Sequence, residues 1–176
     1  LRNRVVQPPL AGIANWAFRA QSRRFGAGLA VSEMVSSFGV VHDNDRTRGM
    51  LDTSHDLGPV SIQLFGAEPQ VMADAARAAV DAGADLIDVN MGCPVKKVVK
   101  TGAGAALLRD PGMVERIVKA VRLAIPLPLT VKIRAGWSPG EPAAPEIARV
   151  IEESGADAVT VHGRFATEAY SKPADW

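Results

Sequence analysis

Hydrophobic positions along the chain follow two alternating periods. Short, nearly continuous apolar runs at residues 29–35, 59–66, 85–90, 129–134 and 158–162 are rich in Val, Ile and Leu and read as buried strands. A sixth, shorter run, Val5-Val6-Gln7, leads into a Pro/Gly turn at residues 8–12. Between the runs, apolar residues recur every three or four positions. Val71, Met72, Ala75, Ala76, Ala79 and Val80 make one helical face, and Met113, Val114, Ile117, Val118 and Val121 make another. Start signals agree with the periodicity: Asn15 caps a segment over 16–25, Pro69 suits a first helical turn, and Asp110-Pro111 form a cap and first-turn pair. A further helix is expected over 145–154. The stretch 36–58 is polar and irregular and reads as a loop with one helix.

Three joints repeat one another. Gly83-Ala84-Asp85-Leu86-Ile87-Asp88-Val89-Asn90 aligns with Gly155-Ala156-Asp157-Ala158-Val159-Thr160-Val161-His162, and more loosely with the segment from Gly26 to Glu33. Each opens on a glycine suited to end a helix and runs into an apolar strand, the pattern of a parallel sheet covered by helices. Six strand–helix alternations with short joints predict an α/β fold, a (β/α)8 TIM barrel of which residues 1–176 supply about six units, with a doubly wound sheet as the alternative. The barrel is favoured because polar residues end strand after strand, namely Glu33, Gln63, Asn90, Lys132 and His162. A barrel gathers them at one mouth, whereas an open sheet gathers only those near its switch point.

Composition narrows the classes. The 176 residues are 47% hydrophobic and 22% charged, enough apolar material for one sizeable core. A net charge of +1 gives no global basic field, so a nucleic-acid partner would need a local patch. One cysteine excludes an internal disulfide and a cysteine-built metal site, and points to a reducing, cytoplasmic setting. No apolar run approaches the roughly 20 residues of a membrane span. The chain starts on Leu1 and ends on Trp176 with no helix after the last strand, so both ends are expected to be cut.

The chemistry centres on Asp88-Val89-Asn90-Met91-Gly92-Cys93-Pro94. An apolar strand delivers a carboxamide and then the sole thiol onto a turn broken by Gly and Pro. A lone Cys is commonly a small buried hydrophobe. Its position just past a strand end instead suits a reactive group held by a rigid scaffold. Lys132 and Arg134 alternate with Val131 and Ile133, so both face the barrel interior; there Lys132 requires a carboxylate neighbour or a polar ligand. His162 ends its strand and is either a hydrogen-bonding residue or a participant. Thr101-Gly102-Ala103-Gly104 reads as a tight rim loop or a phosphate cradle. Lys96, Lys97 and Lys100 form either a solvated loop or contacts to nucleic-acid phosphates.

Pro9-Leu10-Ala11-Gly12-Ile13 with Phe18-Arg19, then Gln63-Leu64-Phe65-Gly66, Asn90-Met91-Gly92-Cys93-Pro94, Val131-Lys132-Ile133-Arg134 and Val161-His162-Gly163-Arg164 resemble, in order, the motifs of the tRNA-dihydrouridine synthases. Lys96-Lys97-Val98 is most similar to a bacterial branch related to a nitrogen-regulation protein. The resemblance implies an FMN-dependent TIM barrel in which NADPH, or NADH, reduces the flavin and the flavin reduces the 5,6 double bond of a tRNA uridine. By the same resemblance Pro9, Leu10, Ala11, Gln63 and Lys132 surround the flavin ring with His162 nearby. Cys93 is the acid that protonates uracil, a task suited to a thiol of ordinary pKa about 8.5. Asn90 holds the base, and Lys96, Lys97, Lys100, Arg134 and Arg164 contact the RNA. Neither metal nor membrane is implied. Phe165-Ala166 replaces the family's usual Thr-Arg, and the last barrel strands and a C-terminal helical domain lie outside residues 1–176. The alternatives are an FMN barrel acting on a small molecule, like dihydroorotate dehydrogenase, and a catalytically inert fragment.

Overall fold

In the computed structural model, which describes residues 3–175, helices begin where their capping residues stand. The Asn15 side chain accepts the Phe18 N–H at 3.1 Å at the head of α1 (Trp16–Arg24), and the Asp110 carboxylate accepts the Met113 N–H at 2.9 Å at the head of α6 (Pro111–Ala124). Pro69 opens α4 (Pro69–Asp81), where a missing N–H costs nothing. Helix α7 covers Ala144–Glu153.

Six strands, β1 (Val6–Gln7), β2 (Leu29–Ser36), β3 (Val60–Phe65), β4 (Leu86–Met91), β5 (Leu129–Arg134) and β6 (Ala158–His162), form one parallel sheet in the order β1-β2-β3-β4-β5-β6. The order never reverses. A doubly wound sheet would contain a switch point, so the progression matches a barrel wall and rules out the alternative. Alternation along the strands separates two faces. Ile62, Leu64, Ile87, Val89, Met91, Leu129, Val131 and Ile133 are fully buried and form one core with Met72, Ala76, Ile117, Val121, Ile147 and Ile151 of the helices. Each fully buried side chain of this size contributes about 1.5–3 kcal/mol. Gln63, Asp88, Asn90, Thr130, Lys132 and Arg134 occupy the opposite positions and give the inner face its polar character.

The repeated joints have a physical basis. Gly83, Gly155 and Gly26 all take left-handed backbone, with φ of 93°, 94° and 97°. Asp85 and Asp157 then each clamp the start of the preceding strand, accepting the Val60 N–H at 2.9 Å and the Leu129 N–H at 2.8 Å. Their own N–H groups return bonds to the Val60 and Leu129 carbonyls. In the third joint Gly28 has no side chain, and Asn3 Oδ1 takes over by accepting the Val5 N–H at 2.9 Å.

Three details depart from the sequence reading. Residues 36–58 carry two short helices, α2 (Ser37–Val41) and α3 (Asp45–Gly49), capped by Ser36 and Asn44. The stretch after Cys93 is a helical turn, α5 (Lys96–Val99), and a 3-10 turn over Gly104–Arg109. Strand β2 contains a one-residue bulge: Val31 pairs with Ser61, but Met34 pairs with Gln63. One extra residue exchanges the faces of everything beyond it. Met34 therefore lines the mouth, and Glu33 turns away to accept a hydrogen bond from the Gly12 N–H.

Candidate functional site

The strand ends surround a cleft of about 300 Å³. Pro9, Leu10 and Ala11 lie on one side, on a turn closed by the Ile13 and Ala14 N–H groups, which donate to the Leu10 carbonyl at 3.0 and 2.8 Å. Gln63, Asn90, Lys132, Arg134 and His162 arrive from four strands, and Cys93 from the turn beyond β4. Glu33 belongs to a separate, smaller pocket with Arg19 and Asp52.

Asn90 builds the turn that presents the thiol. Its Oδ1 accepts the Gly92 N–H at 3.2 Å and the Cys93 N–H at 2.9 Å, an arrangement that only a short side-chain acceptor permits. The far side of the turn is held by the 3-10 segment, where the Ala105 N–H donates to the Cys93 carbonyl at 2.9 Å. Gly104 makes this approach possible: its φ is 60°, and a Cβ there would lie 2.6 Å from that same carbonyl oxygen. The segment 101–104 is thus a tight loop bracing the Cys93 turn. Cys93 itself is half-buried.

Beneath the cleft runs a chain of side-chain hydrogen bonds. Asn90 Nδ2 donates to Gln63 Oε1 at 2.9 Å, Gln63 Nε2 donates to Asp88 Oδ2 at 2.6 Å, and Thr130 Oγ1 donates to Asp88 Oδ1 at 2.5 Å. Burial pushes the Asp88 carboxyl above the ordinary range, opposed by the Thr130 and Gln63 donors and by the charge of Lys132. Burial also lowers the Lys132 ammonium, with Asp88 working against that and Arg134 adding to it. No hydrogen bond or ion pair joins that ammonium to another described residue. His162 is pushed down to about 4, first by burial and then by Arg134, Lys132 and Arg164. Its Nε2 lies 3.0 Å from Arg164 Nη1 and accepts from it, which places the imidazole proton on Nδ1.

The two arginines are engaged elsewhere in the fold. Arg134 lines the cleft, but its guanidinium donates to the Gly92 carbonyl at 2.9 Å, the Phe165 carbonyl at 3.0 Å and Tyr170 Oη at 3.2 Å, so it braces the thiol turn. Arg164 is outside the lining and donates to the Lys172 carbonyl through Nε at 2.8 Å and to the Tyr170 carbonyl at 3.3 Å. Lys96, Lys97 and Lys100 are exposed on and just after α5, beside the cleft and not in it. Sequence reasoning missed Tyr170, the only tyrosine, which lines the cleft between Arg134 and Arg164 at 5.4 and 5.7 Å from its ring. It named Asp88 in the central stretch but gave it no role, although a carboxylate two positions before Asn90 on a strand shares its face. Among the described residues no cluster of three or more His, Cys, Asp or Glu is placed to hold a metal ion, and no helix is long and apolar enough to cross a membrane.

The profile of the dihydrouridine synthase family matches residues 5–176. The chain is 43% identical over 176 residues to tRNA-dihydrouridine synthase B of Shewanella oneidensis and, equally, to that of Escherichia coli strain K12. Both alignments cover 100% of this chain and 55% of the relative, so the chain spans about half the length of the curated relatives it matches. Among solved structures, pyruvate carboxylase of Rhizobium etli superposes with a TM-score of 0.59 at 20% identity, over 90% of this chain and 16% of that one. At that identity the likeness concerns the barrel-type fold alone.

Proposed function

The chain belongs to the dihydrouridine synthase family, and from that membership we propose that it forms the N-terminal part of the catalytic barrel of a tRNA-dihydrouridine synthase acting in the cytoplasm. The observation that carries the reading is the meeting of one thiol, two carboxamides and an unpartnered ammonium at a single cleft. The half-buried Lys132 ammonium calls for an electron-rich partner, which the pyrimidine edge of a flavin provides. Pro9, Leu10, Ala11, Gln63 and Lys132 would hold the FMN ring, with His162 alongside. When bound and reduced by NADPH or NADH, that group would supply the hydride for uridine reduction.

This chain's residues do the rest. Cys93 gives its proton to C5 of the uracil as negative charge develops there, and Asn90 keeps the thiol on the cleft side by holding its turn. Lys132 stabilises negative charge gathered at the cleft floor. Arg134 acts through the turn, whereas Lys96, Lys97 and Lys100 extend the site along the RNA backbone, with Arg164 supporting that flank.

The test compares the wild-type full-length protein with Cys93→Ala, using NADPH and tRNA that lacks dihydrouridine. Both proteins should bind FMN and show the same NADPH-driven bleaching of its absorbance. Dihydrouridine measured by mass spectrometry should fall about 100- to 10,000-fold in the variant. Uridine reduction at the wild-type rate by Cys93→Ala removes the thiol from the mechanism. Reduction of a free pyrimidine with tRNA left untouched replaces the proposal with a small-molecule oxidoreductase.

A further inference from the structure

Asp88 does not line the cleft, yet the hydrogen-bond chain beneath the cleft ends on it. The direction of that chain is set from its other end. Two backbone N–H groups, of Gly92 and Cys93, require Asn90 to turn its oxygen toward them. The Asn90 amide nitrogen must then face Gln63, so Gln63 presents its oxygen there and its nitrogen to Asp88. Asp88 Oδ2 is left as the acceptor for that nitrogen, on a residue only 5% exposed. An acceptor at this point makes one orientation of both carboxamides far better than any other. Without it, the Gln63 amide nitrogen would be buried with no partner in the present orientation.

We propose that Asp88 is a positioning residue that locks the carboxamides of Gln63 and Asn90, so that each amide oxygen is turned to a protein N–H group and each amide nitrogen keeps one N–H for a bound ligand. With the Lys132 ammonium, these N–H groups make the floor rich in donors, which favours the carbonyl oxygens and unprotonated ring nitrogens of a pyrimidine-like ring. The same lock frees the Asn90 oxygen to hold the Cys93 turn. The ligand-facing half of this inference rests on the flavin and uridine reading above, whereas the lock itself depends only on the protein.

Two substitutions in the full-length protein separate an acceptor role from a charge role. Asp88→Asn keeps an oxygen for Gln63 and turns its nitrogen to Thr130 Oγ1, whereas Asp88→Leu removes the acceptor and keeps the same branching. Hydrogen–deuterium exchange of the peptide spanning residues 91–95 is read against that of α4 as a remote reference. Asp88→Asn should exchange as the wild type does, and Asp88→Leu should exchange about tenfold faster at residues 91–95 with α4 unchanged. Alkylation of Cys93 by iodoacetamide should accelerate in parallel, and kcat for uridine reduction should fall about tenfold in Asp88→Leu with recovery in Asp88→Asn. Unaltered exchange in Asp88→Leu, or loosening of the turn in Asp88→Asn, overturns the lock. If Asp88→Leu fails to fold, Asp88→Ala is read in its place. If that also unfolds, Asp88 is a folding residue and the proposal is wrong. A wild-type protein that leaves tRNA uridine unreduced defeats the functional reading instead, and the exchange comparison still decides the lock.

Discussion

Cys93 owes its position to Asn90 on one side and to Ala105 on the other, so the reactive turn is fixed by backbone hydrogen bonds and the thiol itself stays uncommitted. His162 illustrates a different control. With its folded-state pKa near 4 and an ordinary value of 6.5, the imidazole is uncharged throughout the neutral range. The sign follows: the unfolded chain takes up this proton below about pH 6.5 and the folded one does not, so His162 contributes stability above 6.5 that is lost as pH falls toward 4. Titration of its ring resonances by NMR should show no protonation above about pH 5, and Arg164→Ala should move the midpoint upward by removing one of the opposing charges. A wild-type midpoint near 6.5 contradicts the proposed neutral imidazole. Asn90 and Cys93 could be singled out from the sequence because a Gly/Pro-broken turn follows an apolar strand. Tyr170 could not, since it reaches the cleft through Arg134 and Arg164 from a segment with no periodicity of its own.

Among the elements, α5 carries the most direct test of the RNA reading. Lys96, Lys97 and Lys100 sit exposed on one helical turn and its end, beside the cleft mouth. Replacing all three by alanine in the full-length protein should weaken tRNA binding and flatten its dependence on log salt concentration, by about 0.7 to 0.9 for each phosphate that is no longer neutralised. An unchanged slope would assign the lysines to solvent. The elements also show where sequence legibility stops. The strands over 129–134 and 158–162 and the helix after Asp110 follow directly from apolar runs and caps, because burial on fixed periods leaves a local imprint. The bulge in β2 leaves none. Ser32-Glu33-Met34 reads as an ordinary alternation, and only its pairing with β3 reveals the extra residue that puts Met34 at the mouth in place of Glu33. The two short helices within residues 36–58 are equally hard to read, since five residues are too few to establish a period.

At the scale of the whole molecule, β1 and β6 are the two edges of the sheet among the described residues, and Val161 on β6 is 49% exposed. Open edges present unpaired backbone groups, and the phosphate site of this barrel type is formed by loops after its seventh and eighth strands. Residues 1–176 taken alone are therefore expected to bind FMN weakly and to aggregate or pair through the edges. Size-exclusion chromatography with flavin absorbance checks this, and a monomer carrying stoichiometric FMN would contradict it. The unbroken strand order has a kinetic consequence as well. Each strand needs only the one made just before it, and the clamps from Asp85 to Val60 and from Asp157 to Leu129 close when the following strand arrives. A ribosome releasing this chain from its N-terminus can extend the wall one unit at a time, each new unit securing the last, and synthesis itself supplies the order of assembly.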